Sequence, residues 1–312
     1  MTADEPAYFG ASVMRWEVGR STYRVLPEIG ARLMTWNVAQ PGNGVRPVLH
    51  WPELSSIEAV PNCWGGNPLL FPFAGRCFDR SEVHWWRDPA GVRRPMPNHG
   101  LARQARFRVI ERDPSGFAAR LIPAEESRAA YPFEYDFVVR YDFGPLGMAC
   151  RFEITNQGAE AIPWCAGHHF YFKVPWHADK LRRDYFVRID SAQRFSLNEV
   201  GDLVTAPPFA DAEQIGDCAV GGIVHLGLRT PAAFLGQHGS AEGLTVRFGH
   251  DQGPRSDAAF IAWTPAAEAP FYCVEPWMGP PNAPGNARGV EWVPPGAKFA
   301  FSVSVELHGA HA

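Results

Sequence analysis

Residues 131–143, YPFEYDFVVRYDF, constrain the fold more tightly than any other stretch of this chain. Tyr131, Phe133, Tyr135, Phe137, Val139, Tyr141 and Phe143 fall at every second position, and Glu134, Asp136, Arg140 and Asp142 interleave with them. A helix needs apolar residues three and four apart, so a period of two demands an extended strand with one buried and one wet face. The run reads as one long strand over 131–143. The turn Gly144-Pro145-Leu146-Gly147 follows, and Met148, Cys150, Phe152 and Ile154 then alternate until Asn156-Gln157-Gly158, which makes a hairpin.

Similar alternation recurs at both ends. Phe299, Phe301, Val303, Val305 and Leu307 give a C-terminal strand, and STYRVLPEIGARLMTWNV near the start gives two short strands broken at Gly30. The 30 glycines and 29 prolines are spread along all 312 residues, as in a chain of many short elements joined by tight turns. No long helical period, internal repeat or low-complexity linker interrupts this pattern. With 46% apolar residues to fill a core, the expectation is an all-β fold in a single domain over residues 1–312. Element boundaries are least defined over 179–256, where short apolar groups alternate with proline and acidic loops.

Charge excludes several partners. Lys and Arg number 29 against 33 Asp and Glu, and no block of like charge suggests nucleic-acid or polybasic membrane binding. The six cysteines show no CxxC spacing and several lie among apolar neighbours, which reads as reduced thiols. The N-terminus MTADEPAYFG lacks a basic segment followed by an apolar one, and no run of 18 or more apolar residues occurs, so a cytoplasmic location is expected.

Four stretches set polar or titratable side chains among glycine, proline and aromatics: residues 65–76 (GGNPLLFPFAGR), 98–103 (NHGLAR), 166–172 (AGHHFYF) and 273–284 (CVEPWMGPPNAP). Glu275 lies beside Pro276-Trp277 at a strand end, where partial burial raises a carboxyl pKa and suits it to act as a base; an ion pair with an arginine is the structural alternative. In His168-His169 a strand sends one ring to each face, so only one can serve a given site. No HxH, HExxH or HxxxH spacing appears and no stretch supplies three ligands, so a catalytic metal is not expected. GxSxG, GxGxxG and GxxxxGK[ST] are absent as well.

Taken together and in order, Gly65-Gly66-Asn67-Pro68 running to Phe71-Pro72, His99-Gly100-Leu101-Ala102-Arg103, His169-Phe170-Tyr171-Phe172 and Glu275-Pro276-Trp277 resemble the motifs of the aldose 1-epimerase (galactose mutarotase) family. The likeness spans nearly the whole chain. It implies a large antiparallel β-supersandwich with a monosaccharide site in an open cleft, and interconversion of α and β anomers without metal or organic cofactor. By that resemblance Glu275 is the base and His169 the acid, on opposite sides of the hemiacetal. His99, Arg76, Trp277 and Asn67 bind substrate, and Phe71, Trp64 or Trp85-Trp86 are further candidates to face the sugar. His99 would sit at a strand end, pointing into the sugar site. An aspartate that grips hydroxyls in better-known members has its nearest candidates here in Asp211 and Asp217. Arg103 is either a strand-end ion-pair partner or a phosphate contact. A hexose-6-phosphate 1-epimerase, which needs two or more cations in the cleft, and a non-catalytic sugar-binding module of the same fold are the alternatives. The oligomeric state is open.

Overall fold

The computed structural model describes residues 2–207, 212–215, 221–249 and 256–309. Its architecture is an all-β supersandwich in which every pairing between strands is antiparallel. The first five strands, Thr2–Tyr8, Ala11–Val18, Ser21–Leu26, Arg32–Ala39 and Val45–Pro47, pair in sequence order as one sheet. A second sheet of 15 strands begins with Arg106–Asp113, Gly116–Ile122, Tyr135–Phe143 and Gly147–Asn156. It crosses to the C-terminal strand Lys298–His308 and continues through Gly243–Phe248, Gly221–Gln237, Ala259–Thr264 and Phe271–Trp277 to Gly167–His168 and Leu69–Leu70.

The two sheets share one aromatic core. Tyr23 stacks on Phe143 with ring centroids 4.3 Å apart, and Trp16 stacks on Phe117 at 5.2 Å. Alternating residues of both sheets, Val25, Trp36, Phe137, Val139, Tyr141 and Phe152 among them, are almost wholly buried there, which is the face that the period-two pattern marks.

The hairpin forms as the alternation predicts, with Phe137 opposite Ile154 and Tyr141 opposite Cys150. Its first strand is shorter than expected and starts at Tyr135 rather than at 131. Residues Glu125–Ala130 form a short helix whose last turn is closed by the Tyr131 N–H on Ser127 O, and Pro132 has no N–H to give a ladder. Tyr131 keeps its place in the core without belonging to the strand. Over 179–256 the strands are longer than the sequence suggests. Tyr185–Leu197 and Gly221–Gln237 pair along most of their lengths through a register shift between Ile189 and Ser191. No helix among the described residues is long and apolar enough to cross a membrane, and the five described cysteines are free.

The turn that carries His99 is fixed by Gly100. Its φ is +76°, and a Cβ built there would lie 2.2 Å from Phe71 O, inside the bridge that ties this turn to residue 71. Gly100→Ala is therefore expected to lower unfolding free energy by more than about 2 kcal/mol in a denaturant titration. A change below about 0.5 kcal/mol would show that the turn is not held as described.

Candidate active site

One register sets the site. Strand Phe271–Trp277 pairs with Gly167–His168 through Gly167↔Trp277 and with Phe170–Lys173 through Phe170↔Val274. The same register puts His169, between the two short strands, directly opposite Glu275, so both side chains leave the sheet on one face. His169 Nε2 lies 3.4 Å from Glu275 Oε1. The alternate face receives His168, which packs on Phe152 at 4.3 Å and is wholly buried, so the histidine pair divides between core and cleft as strand geometry requires.

Both groups are nearly inaccessible, and burial acts on them in opposite directions. Desolvation holds the Glu275 carboxyl well above the usual carboxylate range. It holds the His169 ring well below 6.5, with the His99 ring and the Arg32 and Arg103 charges pushing the same way. Burial thus favours the neutral couple, with the proton on the carboxyl, when the cleft contains no sugar. Glu275 Oε2 and His169 Nδ1 are buried without a hydrogen-bond partner among the described residues, polar groups for which a ligand is the natural complement.

The surrounding wall belongs to a cleft of about 870 Å³, large enough for a sugar. His99 stands edge-on to His169 and to Trp277, with centroids 5.2 and 5.8 Å away. It occupies a left-handed turn position (φ +66°) rather than the strand end the resemblance implies. Its Nδ1 accepts the Gly75 N–H at 3.2 Å, so in the neutral ring the proton is on Nε2 as a donor. Desolvation, reinforced by Arg103 and Arg76, pulls its pKa down to about 3, so the ring is neutral at working pH. Trp277 crosses the strand at Gly167, where a Cβ would lie 2.5 Å from the indole, and donates to His168 O at 3.2 Å.

Arg76 and Arg103 both line the cleft. Arg76 is exposed, and its guanidinium makes no ion pair or hydrogen bond among the described residues, although its backbone carbonyl accepts the Asn282 N–H at 3.1 Å. Arg103 donates to Asn62 Oδ1 at 2.9 Å, an amide and not the carboxylate that a strand-end ion pair would require. Arg93 and Arg94 are not part of this wall: Arg93 pairs with Asp79 and Glu82, and Arg94 with Asp88.

Asn67 departs from the expected role. It is fully buried and does not line the cleft. Its Nδ2 donates to Tyr141 Oη and to His168 Nδ1, each at 3.0 Å, and its Oδ1 accepts the His169 N–H at 3.2 Å. It anchors the histidine pair from behind and cannot reach a sugar. Phe71 is likewise a core residue, stacked on Phe137 at 3.9 Å, and Trp86 is buried, with Trp85 outside the lining. Trp64 and Trp277 do line the cleft. Asp211 and Asp217 lie outside the described residues.

Several residues in and behind the cleft lie outside those assigned a role from the sequence. Tyr171 stacks parallel to His169 at 4.4 Å with its hydroxyl 3.5 Å from Nε2, and it was legible as the residue two places along the same strand face. Trp263 and Ile261 reach the wall from the neighbouring strand Ala259–Thr264, where Ile261 pairs with Glu275, and only the fold brings them there. Arg32 is wholly buried and donates to the carbonyls of Val60, Pro61, Cys63 and Gly65. An arginine inside the apolar run ARLMTWNV was its signal.

His169, Cys273 and Glu275 place ligand-type atoms within 4.8 Å of one another, a set that the fold assembles and local spacing does not reveal. Burial, with Glu275 nearby, holds the Cys273 thiol well above its ordinary pKa.

Comparison with known proteins gives a consistent picture. The family model for aldose 1-epimerase matches residues 13–219. Among solved structures, a galactose mutarotase-like protein from Clostridium acetobutylicum aligns over 99% of this chain and 98% of its own, with TM-score 0.82 and 14% identity. The Slr1438 protein of Synechocystis sp. aligns over 98% and 97%, with TM-score 0.77 and 19% identity. A galactose mutarotase-like protein from Lactobacillus casei aligns over 95% and 100%, with TM-score 0.73 and 22% identity. At these identities the likeness is one of fold. No curated protein matches the chain by sequence.

Raising the Glu275 pKa makes the carboxyl a net burden on the fold above pH 4.5, where the unfolded chain releases a proton that the folded chain keeps. Glu275→Gln is accordingly expected to melt at a higher temperature than the parent near pH 8. The difference should shrink as pH falls to 4.5 and below, where the carboxyl is protonated in both states. Thermal melts across that range check this, and a variant less stable than the parent near pH 8 would contradict the burial effect.

Proposed function

The chain belongs to the aldose 1-epimerase family, and on that premise we propose that it interconverts the α and β anomers of an aldose by general acid-base opening and reclosure of the hemiacetal. The observation that carries this reading is the direct contact of Glu275 with His169 in a sugar-sized cleft. The two groups stand side by side on one wall, whereas the resemblance implies opposite sides of the hemiacetal. That suits the chemistry, because the C1 hydroxyl and the ring oxygen are bonded to one carbon and can both face a single wall.

Opening requires the C1 hydroxyl to lose a proton as the ring oxygen gains one. The reactive couple is Glu275 carboxylate with His169 imidazolium. A bound hydroxyl that donates to the carboxylate favours this form over the neutral couple, and the proton crosses the 3.4 Å contact. Glu275 takes the hydroxyl proton, His169 protonates the ring oxygen, and the C1–ring oxygen bond breaks. The couple is then carboxyl and neutral imidazole, the form that burial favours in the sugar-free cleft. Rotation about C1–C2 presents the other face of the aldehyde. Glu275 returns its proton to the carbonyl oxygen, His169 takes the proton of the attacking hydroxyl, and the ring closes as the other anomer.

His99, donating from Nε2, and Arg76 hold the sugar's oxygens, and Trp277 offers an apolar surface to the ring. Residues 1–312 act as a single unit in this reading, with the long sheet drawing strands from residue 69 to residue 308.

Polarimetry or one-dimensional NMR on freshly dissolved aldoses tests the reaction. The parent protein should speed anomer equilibration, and Glu275→Gln or His169→Gln should each lose about 100-fold or more. A rate gain that survives Glu275→Gln removes the base. No gain with any aldose favours the sugar-binding module over an enzyme.

A phosphorylated aldose is a second reading, favoured because Arg76 and Arg103 both line the cleft and both bear on His99, with Glu275 the single carboxylate in the described lining. In that case Arg76→Ala should raise KM for the sugar phosphate by about ten-fold or more beyond its effect on KM for the free sugar. Faster turnover of free aldoses than of their 6-phosphates would exclude it.

A further inference from the structure

Cys273 stands two residues before Glu275 on the strand Phe271–Trp277, and the period of two sends both side chains out of the sheet on one face. Across the sheet Cys273 pairs with Tyr171, itself two residues after His169, so the imidazole, the thiol and the carboxyl share that face. A buried cysteine commonly packs as a small apolar residue, and Tyr171, Ala269 and Phe271 give Cys273 such surroundings. Its position goes beyond packing: a His169 ring nitrogen, Cys273 Sγ and a Glu275 oxygen all lie within 4.8 Å of one another. No other three His, Cys, Asp or Glu side chains among the described residues converge in this way.

The spacing suits a tetrahedral ion. Zinc bonds to nitrogen and oxygen of about 2.0–2.2 Å set two ligands of one tetrahedron about 3.3–3.6 Å apart. His169 Nε2 lies 3.4 Å from Glu275 Oε1. A zinc–sulfur bond of about 2.3 Å asks for the thiol at about 3.6 Å from each, so a side-chain adjustment of about 1 Å closes the set. Charge balances too: thiolate and carboxylate neutralise a dication, which drives both of their protons to solvent. Thiolate, imidazole and carboxylate together select a borderline-soft metal such as zinc over magnesium or calcium, which take oxygen ligands. Glu275 Oε2 has no hydrogen-bond partner among the described residues, so one carboxylate oxygen is open to the ion, and the fourth corner is left to the cleft that His169 and Glu275 line. His169 Nδ1 lacks, among the described residues, the outer acceptor that steadies the histidines of resident zinc sites, and the Arg32 and Arg103 charges bear on the same ring. The ion is therefore held reversibly.

We propose that His169, Cys273 and Glu275 form an inhibitory zinc site, in which the ion occupies the acid-base couple and competes with the sugar for it. The inhibition rests on the anomer-exchange reading of the cleft; the binding does not. Zinc takes no part in turnover here.

Calorimetry with zinc chloride, on the full chain without a histidine tag, should give one ion per chain with Kd about 10 µM or tighter. Magnesium chloride should give no binding, and magnesium bound equally well overturns the site. Cobalt(II) chloride reads the ligands in the unmodified protein: a sulfur-to-cobalt charge-transfer band in the near ultraviolet is expected, and its absence overturns the site. Cys273→Ser should weaken zinc binding by about ten-fold or more and remove the band. Zinc that binds Cys273→Ser as tightly as the parent lies elsewhere on the chain and overturns the proposal. In the anomer-exchange assay, zinc at ten times its Kd should raise the apparent KM by about ten-fold and leave kcat unchanged. A fall in kcat at unchanged KM overturns competition with the sugar. If the metal-free protein speeds anomer exchange of no sugar, it is the reaction that fails, and the calorimetry and the cobalt spectrum decide the site alone.

Discussion

Antiparallel pairing of Phe271–Trp277 with the short strands on either side of His169 is the constraint from which the site follows. A one-residue slip would turn Glu275 into the core and bring Val274 or Pro276 to the cleft. The register is held from several directions. Gly167 admits the Trp277 indole, Trp277 closes onto His168 O, and Asn67 takes the His169 N–H while engaging His168. Tyr141 completes this set by accepting from Asn67, which links the long hairpin in the core to the orientation of the histidines. The apolar strand that dominates the sequence and the polar couple in the cleft are thus parts of one arrangement.

Electrostatics in the cleft follow from depth. Both members of the couple lose solvation, and each shifts toward its neutral form. Neutral His99 adds a fixed donor, and Arg76 and Arg103 supply charge at the wall. Arg32 is buried deeper and acts through the loop it holds. A carboxyl kept in such a place works against stability, as strained and desolvated groups at functional sites do.

Much of this was legible in the amino-acid order. Period-two alternation marks the hairpin and the C-terminal strand, and the adjacent histidines could only divide between two faces. The start of the hairpin was not legible, because Tyr131 closes the short helix before it and Pro132 has no N–H for a ladder, although Tyr131 and Phe133 continue the alternation. Asn67 sits in a motif among cleft residues, but motif membership does not say which way a side chain points, and its amide turns inward to three partners. Trp263 and Ile261 carry no local signal, since a cross-strand neighbour is defined by register and not by spacing. The contact between His169 and Glu275 is a product of register in the same sense, and a sequence gives the two residues without giving their side-by-side placement on one wall.

The crystal structure of Glu275→Gln with an aldose bound would test that placement most directly. The sugar should lie against the wall with its C1 hydroxyl at residue 275 and its ring oxygen at His169 Nε2, both within hydrogen-bond distance. A sugar seated with C1 at another part of the cleft, or with the carboxamide and the imidazole on opposite sides of its ring, would contradict it.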